Sequence, residues 1–311
     1  MQIFNLKEKS DLNPRSIVTI GNFDGIHLGH RALIDNVVAD ANSKNYRSAL
    51  ITFEPHPQEI INPKKIMSRI CTNYHQFHLF EKLGLDEVHL IPFTEKLSRM
   101  EPEKFAHQFI INRFNLKKLV IGYDFRFGRY RSGDSKLLEN LSKKFNFSLE
   151  EISPIKKKGH TVSSSLIRTL IKEFNFDEIP VYLGREFSIF GKVVHGKKIG
   201  RKIGFPTANI IPSNPLAIKN GVYVSKLILA ENIHYGVTNI GKKPTFGENL
   251  INIESWIFNF KKDIYGQNLE IIPLHLIRSE KKFSDISLLK KQIDNDIMNA
   301  RNYLNKKGLL E

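Results

Sequence analysis

The sequence predicts an α/β chain in which a doubly wound parallel sheet is followed by a small antiparallel β-barrel and a C-terminal helix. Two observations predict this order. Between residues 17 and 152, apolar runs alternate with helical patterns, which is typical of a Rossmann-like sheet with helices on both faces. Beyond residue 182, short β-like runs separated by turn residues replace the alternation. We therefore predict two domains, residues 1–182 and 183–311.

The elements of the first half follow from the spacing of its apolar residues. The helical segment 101–114 has Pro102 at an early position, where a helix tolerates proline. Pro55 and Pro57 predict a stiff, extended loop over residues 54–57. The apolar stripe of the segment 101–114 is Phe105, Phe109, Ile110 and Phe114. The predicted strands are 17–20, 48–53, 87–93, 118–121 and 148–152, and further helices are predicted at 73–83, at 135–145 and after residue 30.

Short β-like runs in the second half indicate a small closed barrel. A final helix begins at Ser284 with Asp285 in its first turn, and it should pack on the barrel through apolar positions three or four residues apart. The predicted strands are 188–194, 207–211, 221–229, 235–238, 252–258 and 269–277. The apolar positions of the helix are Ile286, Leu289, Ile293, Ile297, Ala300 and Leu304.

Composition restricts the class of protein. A chain of 311 residues can form two domains with a core each. The single cysteine, Cys71, excludes an internal disulfide and a cysteine-based zinc site, and it fits a reducing cytoplasm. The N-terminus lacks the residue order of a signal peptide, and no apolar run approaches the ~18 residues of a membrane span. We therefore expect a cytoplasmic protein that does not bind a membrane.

The net charge of +15 allows two interpretations. Such a charge is typical of nucleic-acid-binding proteins, but it also follows when lysine is common throughout a chain. The longest basic run is the three lysines at 156–158, and no arginine-rich tract alternates with aromatic residues. We favour the second interpretation and expect small-molecule partners, no nucleic acid, and a monomer or weak homo-oligomer. The positive field would attract an anionic substrate in either case.

Residues 21–30, G-N-F-D-G-I-H-L-G-H, form the predicted turn between the first strand and the first helix. His27 and His30 lie at the start of this helix, and Gly29 between them lets a ligand approach the backbone. Backbone N–H groups, the positive end of the helix dipole and two imidazoles together favour a polyphosphate. The glycine spacing matches neither the dinucleotide-binding motif nor a P-loop. The alternative is a glycine-rich turn whose histidines are only polar caps.

This string resembles the His-x-Gly-His signature of nucleotidylyltransferases. In its longer form, G-N-F-D-G-x-H-x-G-H, it resembles the prokaryotic bifunctional riboflavin kinase/FAD synthetase family. A second string of that family, I-S-S-T-x-I-R, is similar to residues 162–168, in which Ser165 replaces the threonine. The resemblance implies that Ser164, Ser165 and Arg168 meet the phosphates of ATP.

Further residues of the first half receive expected binding roles. Asn22 and Asp24 are expected to orient phosphate or metal. The residues expected to line the flavin and adenine pockets are Phe53, His56, Phe125 and Arg126. The remaining expected cofactor-binding residues here are Gly21, Phe23, Gly29 and Asp124.

Several strings in the second half resemble the riboflavin kinase part of the same family, so the resemblance covers nearly the whole chain. The most informative one, residues 200–209, ends in the G-F-P-T-A-N of that family. The resemblance implies that Gly200 and Gly204 flank a loop that closes on phosphates. It also implies that Thr207 and Asn209 hold Mg²⁺ through neutral oxygens. Other matching strings lie at 191–196, 221–223, 236–241, 244–246 and 278–283.

Glu254 is the predicted base of the kinase reaction. The family usually has E-T-H at this point, whereas Glu254 is followed here by Ser255 and Trp256, so a tryptophan replaces the histidine. Glu254 itself matches the acidic residue of the family string. Arg278, the first residue of the last matching string, is expected to bind substrate.

The resemblance implies two reactions, riboflavin plus ATP giving FMN, and FMN plus ATP giving FAD and pyrophosphate. The first needs a base for the ribityl 5′-hydroxyl and a metal that neutralises the γ-phosphate. The second starts from an anionic phosphate and needs only stabilisation of charge, which His27, His30, the helix N-terminus and Arg168 offer. One rival, an adenylyltransferase for another acceptor, is disfavoured by the string at 200–209. Another, an RNA-binding barrel, lacks a pattern of aromatic residues for stacking.

Overall fold

The computed structural model describes residues 1–5, 14–64, 66–196, 200, 203–242 and 251–310. The chain forms two compact units. The first comprises Met1–Met67 and Gln76–Ser163, and the second comprises Ser68–His75 and Ser164–Glu311. The expected boundary between residues 182 and 183 stays a prediction.

A parallel sheet forms the centre of the first unit and confirms the predicted doubly wound α/β fold. In the described part of the chain its strands are β1 (Gln2–Asn5), β2 (Arg15–Ile20), β3 (Arg47–Glu54), β4 (Glu87–Pro92), β5 (Asn115–Gly122) and β6 (Ser148–Ile152). Their order is β1-β4-β3-β2-β5-β6, and neighbouring strands run parallel. The sequence did not predict β1, because a four-residue edge strand is too short to show an apolar period.

Apolar residues on both faces of this sheet explain the doubly wound arrangement. Val18 and Ala49 point into one buried cluster, while their neighbours Ile17 and Leu50 point into the other. Because side chains alternate along a strand, a continuous apolar run can fill two cores. Helices therefore have an apolar surface to cover on each face.

The helices of the first half largely match the prediction. Their bounds are α1 (Leu28–Lys44), α2 (Pro57–Ile61), α3 (Asn73–Lys82), α4 (Glu95–Ser98), α5 (Pro102–Ala106) and α6 (Ser135–Phe145). The segment predicted to be helical at 101–114 is helical over residues 102–111, as α5 followed by a π-helical turn, His107–Ile111. The predicted extended loop at 54–57 is shorter, because Pro57 already begins α2 at a position that tolerates proline. A short hairpin, β7 (Lys156–Lys157) and β8 (His160–Thr161), comes after the sheet.

The second unit contains the predicted antiparallel barrel. Its strands among the described residues are β9 (Ile189–Lys192), β10 (Ala208–Ile210), β11 (Gly221–Leu229), β12 (Asn232–Lys242), β13 (Ile251–Ile257) and β14 (Asn268–Arg278). The order is β10-β13-β12-β11-β14-β9. An antiparallel bridge between Val194 and Asn209 brings the chain after β9 beside β10, so the barrel is nearly closed.

The C-terminal helix, Ile286–Lys306, packs on the barrel as predicted. Ala300 and Leu304 are fully buried in one cluster with Val224 and Phe258. Two details differ from the prediction. Asp285 is the N-cap and accepts hydrogen bonds from the backbone of the first turn, rather than lying within that turn. Ile286 is 64% exposed, because the helix contacts the barrel only further along its length.

Other segments complete the second unit. Helices α7 (Ser164–Lys172) and α8 (Ile179–Leu183) precede the barrel. The segment Ser68–His75 pairs with it through a bridge between Arg69 and Leu216, and the Tyr74 hydroxyl donates to Asn268 Oδ1 at 2.8 Å. Among the described residues, no helix is long and apolar enough to cross a membrane.

Candidate active sites

His27 begins the first site, at the turn between β2 and α1. It is the N-cap of α1, and its Nδ1 accepts a hydrogen bond from the backbone N–H of His30 at 3.2 Å. An acceptor at this position satisfies one of the backbone donors that a helix start leaves unpaired. Because Nδ1 accepts, the neutral ring carries its proton on Nε2. The side chain is 7% exposed, so the ring is held in place by the helix it caps.

The two imidazoles are stacked. The ring centroids of His27 and His30 lie 3.6 Å apart with an angle of 16° between the planes. Phe23, fully buried, lies against the other side of the pair, with its centroid 5.1 Å from that of His30. The structure thus brings together the two histidines that the sequence singled out, at the positive end of a 17-residue helix. The arrangement can donate N–H groups to an anion.

Glycines allow the close packing of this turn. A Cβ at Gly29 would lie 3.2 Å from Cε1 and Nδ1 of His27, and one at Gly21 would lie 3.2 Å from the ring of Phe23. Gly25 has φ +83°, a left-handed conformation that favours glycine. A side chain at position 29 would therefore have to displace the His27 ring.

Asn22 and Asp24 occupy different environments in the same turn. The Asn22 side chain is exposed, while its carbonyl accepts from Gln76 Nε2 at 3.0 Å and from Thr52 Oγ1 at 3.4 Å. Asp24 is 5% exposed. These contacts connect the turn to β3 and α3 and fix its backbone. The expected roles of both side chains stay predictions.

His56 follows the neighbouring strand β3 and caps a helix in the same way as His27. It is the N-cap of α2, and its Nδ1 accepts from the backbone N–H of Gln58 at 3.1 Å. Since both histidines follow parallel strands that are neighbours, they lie at the same edge of the sheet. Phe53 is half-buried and packs on the sheet core, edge-on to Phe93 at 5.7 Å between centroids. Its expected contact with a substrate stays a prediction.

The loop after β5 carries three further expected residues. Phe125 is half-buried and stacks on Phe127 with centroids 5.4 Å apart. Asp124 and Arg126 are exposed. The loop also follows a strand of the parallel sheet, so it lies at the same edge as the turn after β2.

Ser164 and Ser165 begin α7, as the sequence predicted, and Arg168 lies one turn into it. Helix α7 belongs to the second compact unit. The role of Arg168 at the phosphates of ATP stays a prediction.

Glu254 defines the second site, on strand β13 of the barrel. The register places it directly opposite Asn209 of β10 and directly opposite Asn239 of β12. Opposite residues in antiparallel strands point to the same face, so an acid lies between two amides. Its neighbour Ser255 is fully buried and faces the barrel interior, where its hydroxyl is 2.9 Å from that of Thr238.

The expected metal ligands Thr207 and Asn209 lie together beside this acid. Asn209 Nδ2 is 3.2 Å from the carbonyl oxygen of Thr207 and 3.4 Å from its Oγ1. Asn209 is 4% exposed, and among the described residues its Oδ1 has no hydrogen-bond partner. A buried oxygen without a donor fits a cation ligand. In the described ranges, no cluster of three His, Cys, Asp or Glu side chains could hold a metal. Mg²⁺ accepts neutral oxygen ligands when phosphates and waters complete its shell.

A cavity of about 300 Å³ opens beside Thr207 and Asn209. Its wall includes apolar residues such as Val193 and Ile257, together with Lys261 and Lys262. This volume is within the range of small-molecule sites, and the combination of an apolar wall with cationic groups suits a base joined to phosphates. The cavity therefore adds a binding space beside Thr207 and Asn209, and on β13 its wall includes Ser255 and Ile257 but not Glu254.

Gly200 and Gly204 lie where the chain turns sharply before Thr207. The backbone N–H of Phe205 donates to the carbonyl of Gly200 at 2.8 Å, and Gly204 has φ +96°. A Cβ at Gly200 would collide with the carbonyl oxygen of Phe205. Both glycines are therefore needed for the turn itself. The motif at 244–246 lies outside the described residues.

Arg278 makes an ion pair that the sequence did not predict. Its Nε and Nη2 donate to both carboxylate oxygens of Asp296 on the C-terminal helix, at 2.8 to 3.0 Å. Gln292 Nε2 also donates to Asp296 at 2.9 Å. Arg278 therefore ties β14 to the helix, and its expected contact with substrate stays a prediction. Asp296 lies three residues after Ile293 and four before Ala300, so an acid on the apolar stripe was the signal that could have revealed it.

Trp256 shares the face of β13 that carries Glu254 and lies edge-on to Phe205, with 5.7 Å between ring centroids. It packs on the cluster of Val224 and Ala300, edge-on to Phe258 at 5.2 Å between centroids. The tryptophan that replaces the usual histidine thus contributes to the docking of the helix.

On the parallel sheet, His27 caps a helix and stacks on His30. On the barrel, Glu254 lies between two amides. Together, the two domains and their sites define a two-domain nucleotide-dependent transferase. A family model described as FAD synthetase matches residues 9–166, and one described as riboflavin kinase matches residues 183–304. The chain belongs to the bifunctional riboflavin kinase/FMN adenylyltransferase family, and both domains of that family are present.

Relatives with that description align with nearly the whole chain. The protein from Buchnera aphidicola subsp. Schizaphis graminum is 38% identical over 307 residues, which cover 97% of either chain. The protein from Escherichia coli strain K12 is 31% identical over 288 residues and covers 92% of each. A crystal structure from Streptococcus pneumoniae, described as a macrolide-efflux protein, is similar with a TM-score of 0.76 and 28% identity. That similarity covers 96% of this chain and 99% of the other.

Proposed function

We propose that this chain is a bifunctional enzyme that phosphorylates riboflavin to FMN with ATP and then adenylylates FMN to FAD with release of pyrophosphate. The observation that carries the proposal is the presence of both family matches in one chain, at 9–166 and 183–304. Relatives that carry both activities in their names align over 97% of its length. We also propose that the domains divide between residues 182 and 183, where the second match begins.

In the kinase reaction, Glu254 takes the proton of the ribityl 5′-hydroxyl as that oxygen attacks the γ-phosphate of ATP. The oxygen is a weak nucleophile until it loses its proton, and a positioned carboxylate contributes about 10²–10⁴-fold to such a step. The register that sets Glu254 beside Asn209 and Asn239 supports this role. The cavity beside Thr207 would hold the nucleotide.

Mg²⁺ is the metal that fits the barrel site. When bound, it would neutralise charge on the β- and γ-phosphates. Thr207 and Asn209 would hold it, and the buried Oδ1 of Asn209 without a described donor supports that assignment. Gly200 and Gly204 would let the loop before Thr207 close on the phosphates.

In the adenylylation reaction, His27 and His30 stabilise charge on the α-phosphate and on the leaving pyrophosphate. The FMN phosphate is already an anion, so no base is needed. The N–H groups at the start of α1 and the proton on Nε2 of His27 donate to phosphate oxygens. Losing one such donor typically costs about 10²–10³-fold in rate. Arg168, Ser164 and Ser165 would contact ATP, as the matching string implies.

We further propose that the protein acts in the cytoplasm, as a monomer or weak homo-oligomer that binds small molecules and no nucleic acid. A buried, single cysteine, Cys71, supports a reducing compartment.

The test is direct. Purified protein incubated with riboflavin, ATP and Mg²⁺ should yield FMN and then FAD, separated by chromatography. Starting the same assay from FMN isolates the second reaction. Flavin that stays unmodified, under conditions in which the Escherichia coli relative converts it, would refute both activities.

A further inference from the structure

Asn252 contacts the expected base, although no motif singled it out. Its Nδ2 lies 2.5 Å from Oε1 of Glu254. The two residues are two positions apart on β13, so their side chains share one face of the strand. Asn252 is opposite Gly241 of β12, and the carboxylate of Glu280 lies over that glycine.

The orientation of the amide follows from the chemistry of its partner. An ionised carboxylate can only accept hydrogen bonds, so the nitrogen of the amide must face Glu254. The Oδ1 atom then points away, and it is buried without a hydrogen-bond partner among the described residues. Asn252 as a whole is 6% exposed. An unsatisfied buried acceptor lowers stability, so packing alone does not account for an asparagine here.

The amides around Glu254 differ in what they contact. Asn209, directly opposite, directs its Nδ2 to Thr207 at 3.2 Å. Asn252 directs its own Nδ2 to the acid. Asn209 is therefore engaged with the expected metal ligand, and Asn252 restrains the carboxylate.

We propose that Asn252 is a positioning residue for the base Glu254, an inference that rests on the proposed kinase activity. The amide N–H holds Oε1, so that Oε2 is left to receive the proton of the ribityl hydroxyl. The proton moves to Oε2, the hydroxyl oxygen forms a bond to the γ-phosphorus, and the bond from that phosphorus to the bridging oxygen breaks. The electron pair of the broken bond stays on ADP.

Asn252→Leu is the sharpest test, because it keeps the approximate size of the side chain, adds no charge beside Glu254 and removes the N–H donor. We expect kcat for FMN formation to fall about 10–100-fold, the range for partners that orient a functional group, while KM for riboflavin changes little. Asn252→Ala should show the same change, and Asn232→Leu, at the exposed first residue of β12, should not. Conversion of FMN to FAD by each variant, and riboflavin binding by fluorescence, check that both units are folded.

The outcomes separate this inference from the proposed function. Wild-type kinetics in Asn252→Leu, together with an inactive Glu254→Gln, would overturn the positioning role and leave the base in place. A rise in KM for riboflavin with an unchanged kcat would also overturn it, because a residue that positions the base acts on the chemical step. Failure of the unmodified protein to form FMN would overturn the kinase assignment itself.

Discussion

Asn209 of β10 lies directly opposite Glu254 of β13, although 45 residues separate them in the chain. This register places an expected metal ligand and an expected base on one face of the barrel. A shift of the pairing by one residue would turn Glu254 to the interior, where Ser255 is now fully buried. The buried side chains at every second position of β13 therefore fix the strand register. That register in turn places Asn209 and Glu254 side by side.

The two reactions should be separable by single substitutions. Glu254→Gln should lower FMN formation about 10²–10⁴-fold, because an amide cannot take the proton of the hydroxyl. His30→Ala should instead lower conversion of FMN to FAD about 10²–10³-fold, because it removes a donor to the phosphates. Each variant should leave the other reaction nearly unchanged when assayed from riboflavin or from FMN. A folded variant that loses both reactions would contradict the assignment of one reaction to each site.

His27 should contribute to stability and to catalysis through different atoms. His27→Ala removes the N-cap of α1 and should lower the free energy of unfolding by about 1 kcal/mol. His27→Asn is the matched variant, because asparagine also caps helices well. We expect His27→Asn to regain the stability seen in urea unfolding but not the synthesis of FAD. If His27→Asn makes FAD at the normal rate, the imidazole is only a cap.

The ion pair between Arg278 and Asp296 should matter for stability. The side chains are 16% and 3% exposed, so removing the acid leaves a largely buried cation. Asp296→Asn should lower the free energy of unfolding by about 2–3 kcal/mol in denaturant titrations. The control is Glu95→Gln in the exposed pair with Arg99, which should cost less than about 1 kcal/mol. If the two substitutions lower the free energy of unfolding equally, the buried pair stabilises the protein no more than the exposed pair does.

His89 should make the stability of the first unit depend on pH. Burial lowers the pKa of His89, opposed by its hydrogen bond to Glu87, while the positive charge of Arg113 lowers it further. Its Nε2 is 3.0 Å from Glu87 Oε2, and its Nδ1 accepts from Arg113 Nε at 3.0 Å. Because the unfolded chain binds the proton more readily, stability is present above a pH of about 6.5 and is lost as pH falls through the lowered value.

Thermal unfolding between neutral and mildly acidic pH tests that dependence. His89→Gln should flatten the decline below pH ~6.5, the ordinary range of histidine titration. His160→Gln, in the exposed hairpin, is the control and should leave the decline as it is. An unchanged decline in His89→Gln would assign the effect to other groups.

Long elements with a clear apolar period could be predicted from the sequence, and short ones could not. Helix α6 was predicted at 135–145, and it occupies Ser135–Phe145. Strand β11 likewise occupies the predicted residues, Gly221–Leu229. The edge strand β1 and the π-helical turn after α5 were missed, because neither leaves a repeating pattern of its own.

The amino-acid sequence by itself determined the two fold classes and the family, because apolar periods and motif strings depend on neighbours a few positions apart. It also placed His27 and His30 at a helix start. Only the tertiary structure decided which groups those residues contact: that the imidazoles stack, that Asn209 faces Glu254, and that Arg278 pairs with Asp296. Contacts between distant residues depend on strand register and on how a helix packs, and no local pattern encodes either.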